Sequence, residues 1–174
     1  LEAILQEQRE AGSAVIREVY KESGSKFGES ERVLRINNLG SEDLKKDLAL
    51  AKEIELDALL FSKIQSKEDV LEAVKLIEEV NPNLSLMIMI ETPLSVLNIH
   101  EICAASSKVE VVVVGSNKLA NRLHIDVKKG SKAMFNYLSQ IALASKAYGK
   151  TVIDGPHFDV NDEFACEDST KDAF

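Results

Sequence analysis

The sequence contains no tryptophan, 3 prolines, 2 cysteines and 3 histidines, and aromatic residues make up 5% of it. Each scarcity removes a class of function. Cys103 and Cys166 stand far apart with no second thiol or histidine at ligand spacing beside either, and His100, His124 and His157 are equally scattered. Neither a zinc site nor a Cys/His nucleophile pair is therefore expected. So low a cysteine count points to a reducing compartment, and the cytoplasm is the expected location. No apolar run approaches the roughly 18 residues that a membrane span needs. Leu1 to Glu10 lack the basic start and apolar middle of a secretory signal, so a soluble protein is expected. Basic residues are in the minority. The 29 acids against 21 bases give a net charge of -8, which disfavours nucleic acid and anionic membrane surfaces as partners and leaves a small or cationic one. The sequence has neither G-x-G-x-x-G nor G-x-x-x-x-G-K-[ST], so the two commonest phosphate cradles are absent.

With 45% apolar and 29% charged residues, the chain has the material for a real core. Short β-branched or apolar runs alternate with longer segments of helical spacing. The runs are Val33 to Asn37, Ala58 to Lys63, Leu84 to Glu91, Val109 to Gly115 and Thr151 to Asp154. Between them, Ser41 precedes an acidic turn and an apolar face of Leu44, Leu48, Ala51 and Ile54 or Leu56. Ser66 with Asp69 has the spacing of a capping box ahead of Val70, Leu71, Val74 and Ile77, and Asn81-Pro82-Asn83 ends that helix. A third helix follows Pro93 with Val96, Leu97, Ile99 and Ile102, and a fourth runs from Ser131 to Tyr148 with Gly149 as a left-handed stop. Leu5 to Tyr20 and Asp162 to Phe174 read as flanking helices. Connections of this kind demand parallel pairing, which buries both sheet faces. The class is α/β, and a doubly wound sheet and a (β/α)8 barrel both fit.

Polar residues collect where these strands end. Alternation puts Arg35 and Asn37 opposite Leu34 and Ile36, and Ser85, Met87, Met89 and Glu91 opposite Leu86, Ile88 and Ile90. Lys63 and Asp154 end the second and fifth runs, and Ser116-Asn117-Lys118 follows the fourth. In parallel α/β proteins this carboxyl-terminal edge is where chemistry is assembled. Arg35 is read as an anion clamp or as an internal ion pair. Glu91 is read as a site carboxylate or as a cap on the helix after Thr92-Pro93, and Lys63 and Asp154 as site groups or as a mutually neutralising pair. Met87 and Met89 are read as core filling.

Arg35-Ile36-Asn37, Leu59 to Lys63, Ile90-Glu91-Thr92-Pro93, Val114-Gly115-Ser116 and Ile153-Asp154-Gly155, preceded by Leu1-Glu2, occur in an order that resembles the citrate lyase beta-subunit-like lyases. These belong to the HpcH/HpaI aldolase group of the phosphoenolpyruvate-binding barrel superfamily and include malyl-CoA and citramalyl-CoA lyases. The resemblance implies a TIM barrel, with strands 3 to 7 recognisable and the rest missing, as a single partial domain over residues 1–174. It implies Claisen-type cleavage of a 3-hydroxyacyl-CoA thioester (citryl-, malyl- or citramalyl-CoA) to an acyl-CoA and a 2-oxoacid, aided by Mg2+. By the same resemblance Arg35 clamps a carboxylate and Glu91 holds the metal, while Asn37, Lys63, Glu2 and Asp154 line the substrate. Partners would be a small organic acid or acyl-CoA, together with further copies of the chain in a homotrimer or subunits of a citrate lyase complex.

Two departures stand out. Lys118 occupies the place of the family's second metal-ligand Asp, and Ala3 follows Glu2 in place of an acid. With an ammonium there, weak or absent metal binding is expected, with Lys118 paired to Glu91. An impaired member that binds without cleaving, or a metal-dependent aldolase of free 2-oxoacids, are the alternatives. A whole barrel needs about 200 residues or more, and the first residue is Leu1; the expectation is part of a longer chain.

Overall fold

A computed structural model of the chain describes residues 5–23, 27–125, 132–156 and 161–172. A 3-10 turn at Gln6–Gln8 leads into α1 (Arg9–Ser23), and the chain then alternates. Strand β1 (Val33–Ile36) is followed by α2 (Leu44–Glu53), and β2 (Ala58–Phe61) by α3 (Lys67–Val80). Strand β3 (Ser85–Ile90) is followed by α4 (Pro93–Leu97) and α5 (Ile99–Ala104), and β4 (Val109–Val114) by α6 (Ser116–Leu123) and α7 (Lys132–Ala147). Strand β5 (Thr151–Ile153) and α8 (Glu163–Asp172) come last. All five strand runs read from the sequence are strands, each ending one or two residues before the end of its run.

The strands pair in parallel in the order β1-β2-β3-β4-β5. This order separates the two architectures that the sequence left open. A doubly wound sheet reverses its strand order at a switch point and carries helices on both faces. Here the order never reverses. The large apolar cluster joins Leu34, Ile36, Leu59, Phe61, Leu86, Ile88, Ile90, Val112 and Val114 to helix residues such as Ala51, Ala73, Ile77, Ile102, Leu119 and Ala144. The opposite face carries a small cluster of Ala58, Met87 and Val111, flanked by Leu60 and Val113, with no helix residue in it. A singly wound parallel sheet with helices on one face is an arc of a TIM barrel, and Met87 fills its inner side.

Local chemistry sets the helix ends. Ser66 accepts from the Asp69 N–H at 3.1 Å while the Asp69 carboxylate accepts from the Ser66 N–H, also at 3.1 Å, completing the expected capping box. Gly149 ends α7 with φ +68°, a left-handed conformation that costs glycine little. The single helix expected after Pro93 is two. Asn98 breaks it at φ -94°, ψ 9°, and its side-chain amide donates to the Gln65 carbonyl at 2.8 Å, tying α4 and α5 to the end of β2. Helix α2 starts at Leu44, later than Ser41 suggested, and buries Asp47 and Leu50 along with Leu44 and Ala51. Helix α6, which buries Leu119 and Ala120, was not among the elements read from the sequence. No helix of the described residues is long and apolar enough to cross a membrane.

At the amino-terminal edge Arg32 donates through its backbone N–H and its guanidinium to Asp57 at 2.8–3.2 Å, fixing the entry of β1 beside β2. These hydrogen bonds hold the Asp57 carboxyl below the usual range.

Ser66→Ala is expected to lower unfolding stability by about 1 kcal/mol, and Ile88→Ala, which empties a fully buried position in the central strand, by about 2–5 kcal/mol; urea denaturation measures both. A carboxyl whose folded pKa is depressed contributes stability above its unfolded value and loses it as pH falls through the folded one. Acid unfolding profiles should therefore differ between the wild type and Asp57→Asn, with the wild type losing the additional stability below the ordinary carboxylate range.

Candidate functional site at the carboxyl-terminal rim

Glu91 follows the last residue of β3 and is 1% exposed. By strand alternation it lies on the face of Met87 and Met89, the inner face of the arc. Thr92 and Ser95, each accepting from the other's N–H at 3.0 Å, cap α4, so Glu91 is not the cap of that helix. Its carboxylate meets the Lys118 ammonium, 3.2 Å from Oε2. Among the described residues neither carboxylate oxygen accepts a hydrogen bond, so the ionic contact with Lys118 is what compensates this buried charge.

The route by which Lys118 arrives explains the local sequence. Helix α6 begins directly after β4, and its N-cap residue is Gly115. A Cβ on Gly115 would overlap Glu91 Cβ and lie 3.2 Å from Glu91 Oε2. Only glycine lets the end of β4 pass this close to the Glu91 stem. The Gly115 N–H donates to the Ile90 carbonyl at 2.9 Å, extending the ladder to the rim. A Cβ on Gly155 would likewise overlap Ser116 Oγ. Two glycines thus bring the ends of β3, β4 and β5 together. The first turn of α6 holds no acid, and a cation in that turn opposes the helix dipole. The Glu91 charge offsets this.

The remaining predicted residues divide. Arg35 is half-buried in the middle of β1, paired in register with Leu60, which pairs with Met87. It therefore shares the inner face with Glu91 but starts from a lower level of the sheet, and its long side chain faces the same interior. Asn37, expected to line the substrate, is 2% exposed and gives both its backbone N–H (2.8 Å) and its side-chain amide (2.6 Å) to the buried Asp47 of α2. That donor group is committed to the helix layer because the chain leaves the pleat after Ile36. Lys63 does not pair with Asp154; its ammonium donates to Asn38 Oδ1 at 3.3 Å. Asp154 is exposed and accepts from the Gly155 N–H at 2.7 Å, shaping the turn after β5. Glu2 lies outside the described residues.

Sequence reading missed three features. Lys63 sits at φ +58°, a left-handed conformation that costs a lysine about 1–2 kcal/mol. Ser62, beside it, is 1% exposed, and its hydroxyl bonds to nothing among the described residues. Asp47, which the sequence did not single out, is buried and anchors Asn37. Only the glycines after β4 and before His157 left a visible signal, as small residues at strand ends. Cys103 is buried, and burial pushes its thiol up; no disulfide joins it to the exposed Cys166, and neither belongs to the rim.

Comparison with known proteins agrees with this fold. The family model described as HpcH/HpaI aldolase/citrate lyase matches residues 3–173. A (3S)-malyl-CoA thioesterase of Cereibacter sphaeroides is 34% identical over 137 residues, which is 79% of this chain and 46% of the relative. The chain thus spans about half the length of the curated relatives it matches. Among solved structures, RipC from Yersinia pestis superposes with a TM-score of 0.82 at 20% identity, covering 99% of this chain and 74% of that one. Protein CitE from Mycobacterium tuberculosis, solved with magnesium, acetoacetate and coenzyme A, gives 0.78 at 21% identity, covering 99% and 61%. At these identities the solved structures establish the fold.

The magnesium of that neighbour can be tested against the residues present here. Mg2+ demands oxygen ligands at about 2.0–2.1 Å in octahedral array. Among the described residues no group of three or more His, Cys, Asp or Glu side chains is placed to hold a metal ion. Glu91 already faces an ammonium at 3.2 Å. A divalent cation at Glu91 would have to share that carboxylate with the Lys118 ammonium, and the two cations repel. With Glu91 so occupied, the described residues of the rim are a poor fit for the ion.

Lys63→Gly is expected to raise unfolding stability by about 1 kcal/mol through release of the left-handed lysine, while weakening binding of a small carboxylate such as acetoacetate; thermal melts and calorimetric titration read the two effects separately.

Proposed function

The chain belongs to the HpcH/HpaI aldolase/citrate lyase family, and from that premise we propose that the full-length protein binds a small 2-oxo- or 3-hydroxyacid, carried as a CoA thioester, at the Glu91 rim and cleaves its carbon–carbon bond. The reading is supported by the cationic residues that the arc carries on or after its strands, Arg35 in β1, Lys63 after β2 and Lys118 in the first turn of α6, the last of them 3.2 Å from Glu91. Such charges suit an anion. A guanidinium grips a carboxylate through two parallel N–H donors, giving orientation as well as attraction.

Cleavage of a 3-hydroxyacyl-CoA removes the proton of the 3-hydroxyl, breaks the C2–C3 bond, forms the 2-oxoacid carbonyl and leaves its electron pair as a thioester enolate, which then takes up a proton. The chain's task is to hold the acid and to place fixed positive charge where oxygen gains negative charge. Arg35 holds the carboxylate. Lys118, fixed by Glu91, supplies the charge at the rim, and Lys63 flanks the entrance. Asp47 and Asp154 position the loops after β1 and β5 through Asn37 and the Gly155 N–H.

A second reading rests on the relatives' name: hydrolysis of the thioester, with no carbon–carbon cleavage. The two have different products. The unpaired state of Cys103 supports a reducing, cytoplasmic setting, and family resemblance supports a homo-oligomer.

Incubation of the full-length protein with malyl-CoA, followed by chromatography, is expected to yield glyoxylate and acetyl-CoA. Malate and free CoA would establish hydrolysis instead. Arg35→Ala is expected to weaken substrate binding about 10- to 100-fold, the worth of a lost charge-assisted contact of about 1.5–3 kcal/mol. Unchanged binding by this variant would remove Arg35 from the site.

A further inference from the structure

We infer that the Lys118 ammonium is a built-in replacement for a divalent cation, so that this protein takes its acid ligand without metal and excludes Mg2+ from the Glu91 carboxylate. The inference rests on the acid-site reading for its ligand and on the Glu91–Lys118 geometry for its cation.

Three independent features converge on it. Glu91 is a carboxylate sealed from water, so a positive partner must stand beside it in the folded protein. Lys118 is that partner, 3.2 Å from Oε2, and it reaches there from the first turn of a helix, where the dipole disfavours a lysine. Its placement is therefore explained by the carboxylate and not by the helix. Finally, the approach is enforced by backbone: Gly115 leaves no space between the end of β4 and Glu91 for anything but the existing stem. The Lys118 side chain remains 43% exposed, so a ligand can approach it from solvent. An incoming carboxylate or carbonyl oxygen meets at this place a fixed charge of +1, tethered and always present, in contrast to a dissociable ion of +2. Binding that draws on a tethered charge needs no free cation and does not respond to chelators.

The test uses the full-length protein and two titrations. Mn2+, followed by its electron paramagnetic resonance signal, probes the cation site. Acetoacetate, followed by calorimetry in EDTA and in Mg2+, probes the acid site. The wild type is expected to show no saturable Mn2+ binding up to about 1 mM and acetoacetate affinities equal within about twofold in the two buffers. Lys118→Asp is expected to acquire a Mn2+ site, tightening binding by at least about tenfold. If Lys118→Asp does not fold, Lys118→Gln takes its place, with circular dichroism as the check.

A saturable Mn2+ site in the wild type that Glu91→Gln abolishes would overturn the inference, as would folded variants that gain no Mn2+ affinity. Acetoacetate binding only in Mg2+ would also overturn it while leaving the acid site intact. Failure of acetoacetate to bind in either buffer would instead strike the acid-site reading, and the Mn2+ titration would still decide the identity of the cation.

Discussion

A carboxylate with 1% of its surface in water has to be neutralised within the fold, and the rim of this protein is organised around that requirement. Glu91 ends the central strand, and its neutralising charge comes from the next strand–helix junction. For Lys118 to reach it, β4 must pass against the Glu91 stem, which only Gly115 permits, and α6 must begin at once. Gly155 then lets β5 close on Ser116. A single buried charge thus dictates two glycines, the start of a helix and the spacing of three strand ends. Removing the Lys118 ammonium would leave the Glu91 charge stranded in the interior, which costs far more than the pair contributes.

Beneath the rim, the architecture follows from where apolar surface can be hidden. The strands succeed one another without reversal, and every connection returns across the same face, so the helix layer and the outward-pointing strand residues form one core. The inner face is left to a thin layer of Ala58, Met87 and Val111. Arg35 belongs to that face through its register partner Leu60, which in turn pairs with Met87. Membership of the HpcH/HpaI aldolase/citrate lyase family and the barrel arc are thus two descriptions of one arrangement. What marks this rim is its cation, the Lys118 ammonium set against the buried Glu91 carboxylate.

The strands were legible because largely buried parallel strands carry β-branched or apolar runs, as in Val111 to Val114. The Ser66–Asp69 box was legible for a similar reason: its hydrogen bonds close within four residues of chain. The pairing of Glu91 with Lys118 was legible only through resemblance, which showed an ammonium in the place of an acid. Hidden from view were contacts of larger reach or conformations without a compositional mark. Asp47 does not stand out in the sequence, and only when α2 docks does its carboxylate take both donors of Asn37. Lys63 gives no sign of its left-handed backbone, since that strain is imposed by the turn from β2 toward Ile64 and not by lysine itself. Asn98 looks like any helical asparagine until Gln65 offers it a carbonyl.

The sequence by itself determined the strand runs, the inward and outward faces of β1 and β3, the local caps and the identity of the charged residues at the strand ends, because each of these depends on periods of two or on bonds between near neighbours. Tertiary structure decided the rest. Strand order chose a barrel arc over a doubly wound sheet, helix docking withdrew the Asn37 donors from the rim, and the approach of β4 to β3 brought an ammonium onto a buried carboxylate. Those outcomes depend on distances between segments far apart in the chain, which come into being only when the strands and helices assemble and exclude water from the space between them.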